Sequence, residues 1–346
     1  MLNKQQKIAI YMEGSLGSDY GKMGYGVMRY IANPIVCVID STHAGKKAKD
    51  VCSVPADIPV VADIKDAYQL GAEVLILGTA PSGGRVPDSW YPPLEQALSF
   101  GMSLINGLHD PLSETLADKL SGDNSHWIWD TRKPAFTPDI ATAQAANLSN
   151  KRVLFVGTDM AIGKMTAGLE IYDYVRKQNQ SAAFIATGQI GITVTGEGIP
   201  LDAFKVDHAC GAVETAVMNA AEYEYIFVEG QGSLLHPGSS ATLSLMRGSC
   251  ANRLIMCHRG DMQTLRKPGH IKIPPMSEFI ALNENLASVC GSLTTPKTVG
   301  IALNSVMLDD DQTAREIARL EDETGLPVED VVRNGAGKLG EALISS

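Results

Sequence analysis

The chain has 346 residues, 45% of them hydrophobic and 20% charged, with 33 Gly and 17 Pro. These are ordinary globular values, and with a mean hydropathy near zero they exclude disordered, fibrous and membrane-embedded classes. Twenty-nine Lys and Arg against 39 Asp and Glu give a formal charge of −10, divided as −4 up to residue 150 and −6 beyond it. Neither half therefore offers the basic surface of a nucleic-acid binder.

The length suggests two domains, each able to bury its own core. Cysteines lie at 37, 52, 210, 250, 257 and 290 with no Cys-x-x-Cys among them. Such irregular spacing reads as reduced thiols. No apolar stretch near the N-terminus is long enough for a signal peptide, and none downstream reaches transmembrane length. A cytoplasmic protein with no membrane partner is expected.

Short apolar runs alternate with longer helical patterns, which predicts an α/β architecture with parallel sheets. In the first half the strand runs are 8–12, 35–39, 60–61, 74–77 and 103–105, with helices over 64–70 and 92–100. A second series runs through 152–156, 182–186, 225–228, 254–257, 299–303 and 328–333. Residues 131–150 carry Pro134, Pro138 and little bulky apolar content, and read as a linker around a short helix. The predicted division is a Rossmann-like domain over 1–135, a linker over 136–150 and a P-loop domain over 151–346. The acidic runs at 309–311 and 321–323 read as solvated helix surface.

In the first half, the opening strand runs into Glu13-Gly14-Ser15-Leu16-Gly17 and the next strand ends in Asp40. The glycine spacing is not G-x-G-x-x-G, so turn-forming glycines outweigh a nicotinamide site. More distinctive is GTAPSGGRVP at 78–87, directly after a strand, where freed backbone amides and Arg85 could hold a carboxylate or phosphate. Gly107-Leu108-His109-Asp110 is a second such place. Either could equally be a turn.

The sharpest motif lies in the second half. A buried-strand run leads into Gly157-Thr158-Asp159-Met160-Ala161-Ile162-Gly163-Lys164-Met165-Thr166 and then an amphipathic helix through Val175. This is a phosphate-cradling P-loop arrangement: amides point inward, the helix N-terminus adds positive potential and Lys164 neutralises phosphate oxygens. Two departures matter. Five residues separate Gly157 from Gly163 where the common pattern has four, and Met165 stands where a Ser or Thr would coordinate magnesium. One residue is about 100° around a helix, so Thr166 is no simple replacement.

Further strand ends carry Ala186-Thr187-Gly188-Gln189 and Glu229-Gly230-Gln231-Gly232-Ser233-Leu234-Leu235-His236. Glu229 and His236 are the general-base candidates, each with a plain structural alternative. Arg247, Arg253, His258 and Arg259 form a loose basic set that could bind a carboxylate. Metal-ligand spacing is absent among the seven His.

GTDMAIGKMT and the later Glu-Gly-x-Gly resemble dethiobiotin-synthetase-like P-loop proteins. Taken with TGQIGI, VEGQGSLLHPGSS, GTAPSGGRVPDSWYPPLEQALSFGMSLINGLHDPLSE and WDTRKP, the chain resembles a two-domain family that includes D-glutamate N-acetyltransferases. That family joins a Rossmann-like N-terminal half to a P-loop C-terminal half. The resemblance implies acetyl transfer from acetyl-CoA to the amino group of D-glutamate, in D-amino-acid catabolism. Gly157, Thr158, Asp159, Gly163, Lys164, Met165 and Thr166 would then hold the coenzyme. Glu229 or His236 would be the base, with Gly230 and Gly232 amides toward the oxyanion, and Gln189, Gln231, Arg253 and Arg85 would bind substrate. A small-molecule substrate, no metal and a homo-oligomer are expected. The rival readings are an ATP- and magnesium-dependent ligase or kinase acting on a small carboxylate, and a non-catalytic metabolite sensor.

Overall fold

The computed structural model describes residues 2–81, 83–122 and 125–346, so Ser82 of the 78–87 loop lies outside it. The chain forms two compact units: Met1–Ala135 with Gln189–Ala203, and Phe136–Gly188 with Phe204–Ser346. A stretch from the second half of the sequence thus belongs to the first unit. No helix among the described residues is long and apolar enough to cross a membrane.

The first unit is built on β1 (Ile8–Tyr11), β2 (Ile35–Ile39), β3 (Val60–Val61), β4 (Val74–Leu77), β5 (Ser103–Asn106) and β6 (Ile128–Asp130). Their order is β3-β2-β1-β4-β5-β6, parallel throughout, as in a Rossmann sheet. β6, Ile-Trp-Asp, is not an apolar run and so was not among the strands read from the sequence.

Strand periodicity divides the side chains between two cores. Ala9, Tyr11, Cys37, Ile39, Leu75 and Leu77 face one layer, closed by Ile64 and Ala67 of one helix and Leu94, Ala97 and Leu98 of another. Ile8, Ile10, Val38, Val74 and Ile76 face the other, closed by Met23 and Val27 of the helix Lys22–Tyr30, with Ile190 and Val194 packed against them. Those last two residues sit on the helix Gln189–Thr195, and they explain why this stretch belongs to the first unit.

The glycines after β1 are consumed by packing. Gly24 N–H donates to the Gly78 carbonyl at 2.7 Å. A Cβ on Gly24 would lie 2.3 Å from Met12 Sδ, and one on Gly78 2.4 Å from Ile10 Cγ2. Asp40, fully buried, accepts from Leu16 N–H at 3.0 Å and from Thr42 N–H at 3.0 Å. The acidic residue that would meet a ribose in a dinucleotide site here fastens the loop to the next turn.

The second unit holds β7 (Lys151–Gly157), β8 (Ala182–Ile185), β9 (Tyr225–Val228), β10 (Arg253–Arg259), β11 (Lys297–Asn304) and β12 (Val328–Glu329). They form a second parallel sheet in the order β12-β11-β10-β7-β9-β8. β12 is shorter than the run at 328–333 because Asp330 turns the chain. Its carboxylate accepts from Ser305 N–H at 2.9 Å and from Val332 and Arg333 N–H at 3.0 Å each. The segment after Phe136 is packed rather than loose. Glu214 accepts from Thr142 N–H at 2.9 Å and Gln144 N–H at 2.7 Å, and Gly211 admits the Asp139 carbonyl where any Cβ would collide. The acidic run at 309–311 is exposed, with Asp309 capping the helix Asp310–Thr324, whereas Glu321 and Glu323 of the second run are partly buried and pair with Lys338 and Arg319.

Candidate active site at the P-loop edge

β7 is flanked by β9 and β10, so three strands deliver their carboxyl ends to one edge, where ligands bind in open α/β sheets. Gly157 ends β7, paired with Cys257 of β10. A Cβ at 157 would lie 2.8 Å from Ile162 Cδ1 and 3.4 Å from Lys164 Cδ, so glycine leaves the channel through which the lysine stem runs. Gly230, after β9, is under tighter constraint: its Cβ would sit 1.6 Å from the Phe155 carbonyl oxygen.

The loop accommodates its additional residue through two left-handed positions, Ala161 at φ 54° and Gly163 at φ 111°. Gly163 then starts the helix Lys164–Lys177 with no side-chain cap, so the first-turn amides remain free for an anion at the positive end of the helix. Met165 and Thr166 follow as the second and third residues of that helix, both partly buried. Asp159 is turned inward, accepting from Met160 N–H at 2.7 Å and Arg266 N–H at 2.9 Å. Thr158 Oγ1 lies 3.0 Å from His258 Nδ1.

Lys164 is buried, and its ammonium donates to the Asp159 carbonyl at 2.7 Å. Burial pushes its pKa down, opposed by Cys257, Asp159 and Glu229. Glu229 is 3% exposed. Its Oε2 accepts from Thr187 N–H at 2.7 Å and Gly188 N–H at 3.1 Å, while Oε1 faces Gln231 Nε2 at 3.3 Å. Burial raises the Glu229 carboxyl to about 7, against the pull of those amides and of Lys164. A carboxyl poised near neutrality beside an anion-binding loop is suited to taking and returning a proton.

The other predicted residues fall in different places. Gln231 stands beside Glu229 and orients it; its own carbonyl accepts from Thr242 Oγ1 at 2.8 Å. His236 receives the Gly238 N–H on Nδ1 at 3.1 Å, which leaves Nε2 carrying the proton toward the Lys267 carbonyl at 2.7 Å. Both ring nitrogens are thus engaged. The structure does not bring Arg253 to the P-loop. It opens β10 at the end opposite Cys257, bonded to Ser346 Oγ and the Asn252 carbonyl. His258 is no cation, since burial drives its pKa to about 4. Arg259 is held in a two-point pair by Asp261. Gln189 and Arg85 belong to the first unit.

Three residues contribute in roles the sequence does not assign. Thr187 supplies an amide to Glu229, Cys257 lies against Lys164 with its thiol pushed up to about 12 by burial, and Asn304 donates to the Ile162 carbonyl at 2.9 Å. Thr187 follows β8 and Asn304 closes β11, so strand-end position is their signal, whereas Cys257 lies within β10. Among the described residues no group of three or more His, Cys, Asp or Glu side chains is arranged to hold a metal.

Fold and site together define a P-loop protein with a Rossmann-like partner domain. Residues 41–134 match the domain of unknown function DUF1611_N, described as a Rossmann-like domain, and residues 139–340 match DUF1611_C, described as a P-loop domain. The chain belongs to the DUF1611 family. A crystal structure of a DUF1611 family protein from Anabaena variabilis is 42% identical, with a TM-score of 0.94 over 99% of this chain and 100% of that one. A D-glutamate N-acetyltransferase of Pseudoalteromonas sp. is 34% identical over 281 residues, 80% of this chain and 82% of that protein. A protein of the same name from Tritonibacter scottomollicae is 32% identical over 282 residues, 81% and 84% of the two chains.

Proposed function

We propose that the protein is an N-acetyltransferase that moves the acetyl group of acetyl-CoA to the amino group of D-glutamate, with a role in D-amino-acid catabolism. The observation that carries this reading is the juxtaposition, on one sheet edge, of Lys164 in an anion-binding loop with a buried carboxyl near neutrality, Glu229. The name carried by both relatives, matched over four-fifths of this chain, supports the reaction class. Coenzyme A brings a diphosphate and a 3′-phosphate, which the loop amides and Lys164 suit without a magnesium hydroxyl at position 165.

The substrate ammonium loses one proton to solvent, and as the free amine attacks the thioester carbonyl Glu229 takes a second proton from the nitrogen. Backbone amides of the glycine-rich turn at 230–232 steady the tetrahedral oxyanion, which collapses to the amide as the C–S bond breaks. The proton held by Glu229 returns to the departing thiolate. Glu229 fits the base role better than His236, both of whose ring nitrogens are bonded.

The test is release of free thiol from acetyl-CoA with D-glutamate and a panel of D- and L-amino acids. A parallel arm supplies ATP and magnesium and reads ADP or phosphate. Background thiol release across the panel refutes the reading, and nucleotide hydrolysis coupled to the amino acid supports the ligase or kinase that the Lys164 loop would also serve.

A further inference from the structure

Hydrogen bonds tie together residues that follow β4, β5 and β6 in the first unit. His109 N–H donates to the Gly84 carbonyl at 2.8 Å, and Val86 N–H to the Asp110 carboxylate at 2.7 Å. Asn106 Nδ2 bridges the Asp110 carbonyl at 2.7 Å and Asp130 Oδ1 at 2.8 Å. Onto this frame the fold sets two guanidiniums and an imidazole. Arg132 donates through Nε to the Gly107 carbonyl at 2.7 Å and pairs through Nη1 with Asp202; its Nη2 makes no hydrogen bond among the described residues. Arg85 pairs with Asp110 at 3.0 Å with its side chain 78% exposed.

The His109 imidazole titrates under the influence of Arg132, Asp110 and Arg85; burial and Arg132 hold its pKa down, Asp110 opposes them and Arg85 adds to them. Gln189 closes the group, its Cγ 3.3 Å from where a Cβ on Gly107 would sit, and its carboxamide makes no hydrogen bond among the described residues. At the end of β4 the Thr79 hydroxyl, 2% exposed, also lacks a partner among the described residues. Unfilled donors on a pre-built, cation-rich frame are what a small carboxylate needs. The glycine turn after β1, the ordinary anion seat of such a domain, is closed by its own packing.

We propose that the first unit carries its own binding site for a small carboxylate, made by Arg132, His109 and Gln189 around Gly107 with Arg85 at its flank. The ligand it takes is a small dicarboxylate of the chemistry of D-glutamate or glutarate. Its assignment to D-glutamate rests on the acetyltransferase reading; the carboxylate site itself does not. A bound anion beside His109 favours the protonated ring, reversing the effect of the two arginines.

The experiment follows the His109 ring C–H resonance of the full-length protein through a pH titration, alone and with saturating D-glutamate or glutarate, with His109→Gln assigning the signal. The expected result is an upward displacement of the His109 midpoint by at least half a pH unit. Arg132→Lys, which keeps the charge and removes the planar fork, should lose at least tenfold in affinity for the same ligand while coenzyme A affinity stays within twofold. Thiol release is read in parallel. If glutarate displaces the His109 midpoint but no amino acid is acetylated, the site stands and the acetyltransferase reading falls. If D-glutamate is acetylated while its saturation leaves His109 unmoved and Arg132→Lys binds it normally, the site is refuted and the reading stands. If neither ligand moves His109, the site is refuted.

Discussion

Replacing Glu229 with Gln perturbs the site in a way that both stability and turnover can report. The side chain is buried, and its carboxyl is raised from 4.5 to about 7, chiefly by loss of solvent. A carboxyl whose folded pKa lies above its unfolded value favours folding most at low pH, where both states are protonated. That advantage is lost as pH rises from about 4.5 through about 7. At about 1.36 kcal/mol per pH unit the gap amounts to about 3 kcal/mol of stability lost between pH 4 and pH 8. Gln is uncharged at every pH, and its carbonyl oxygen can still accept from the Thr187 and Gly188 amides. The variant is therefore expected to match the wild type near pH 4 and exceed it by about 2–3 kcal/mol at pH 8, the lower figure allowing for the ionic partner Lys164 loses. Its acetyl-transfer rate should fall by about 10²–10⁴, and the wild-type rate should rise with an apparent pKa near 7. Urea unfolding followed by circular dichroism at both pH values, with thiol release on the same samples, measures both effects. Parallel pH–stability curves for the two proteins would refute the buried-carboxyl argument, and wild-type turnover in the variant would remove Glu229 from the chemistry.

Lys164→Ala should weaken coenzyme A binding by at least tenfold in calorimetry, since a charge-assisted hydrogen bond contributes about 1.5–3 kcal/mol; unchanged affinity would place the coenzyme elsewhere. Gly230→Ala forces a Cβ to 1.6 Å from the Phe155 carbonyl and should lower Tm steeply or abolish folding. Gly337→Ala, at the start of the last helix with Tyr174 3.7 Å away, should leave Tm level or raise it slightly. Millimolar NAD or NADH should leave Tm unmoved, because Met12, Gly24, Gly78 and Asp40 fill and fasten the turn that would hold the pyrophosphate. A concentration-dependent rise would show that this packing opens.

Much of the fold was legible because buried parallel strands are short apolar runs. Residues 35–39, 60–61, 74–77 and 225–228 were read with the bounds the structure gives them. β6 was not, because Ile128–Asp130 is a brief edge strand rich in Trp and Asp. The run at 328–333 is longer than β12 because its later residues, Asp330-Val331-Val332-Arg333, form the turn that Asp330 organises. Lys164 and Glu229 could be nominated from strand-end position. Their neighbours Cys257 and Asn304 were hidden because register alone decides which residue of an apolar strand reaches the edge. Arg253 failed for a different reason: it precedes the run 254–257 and so opens its strand, at the end away from the carboxyl edge.

The loan of Gln189–Ala203 to the first unit has a consequence for how the molecule is made. Although residues 1–135 supply its whole sheet, the layer carrying Ile8, Ile10 and Val27 is completed by Ile190 and Val194, which leave the ribosome much later. At about 5–20 residues per second the delay is on the order of several seconds, during which a nearly finished domain exposes an uncovered apolar face. A fragment ending at residue 135 should inherit that vulnerability permanently, and the interruption point for a clean dissection lies beyond any single linker.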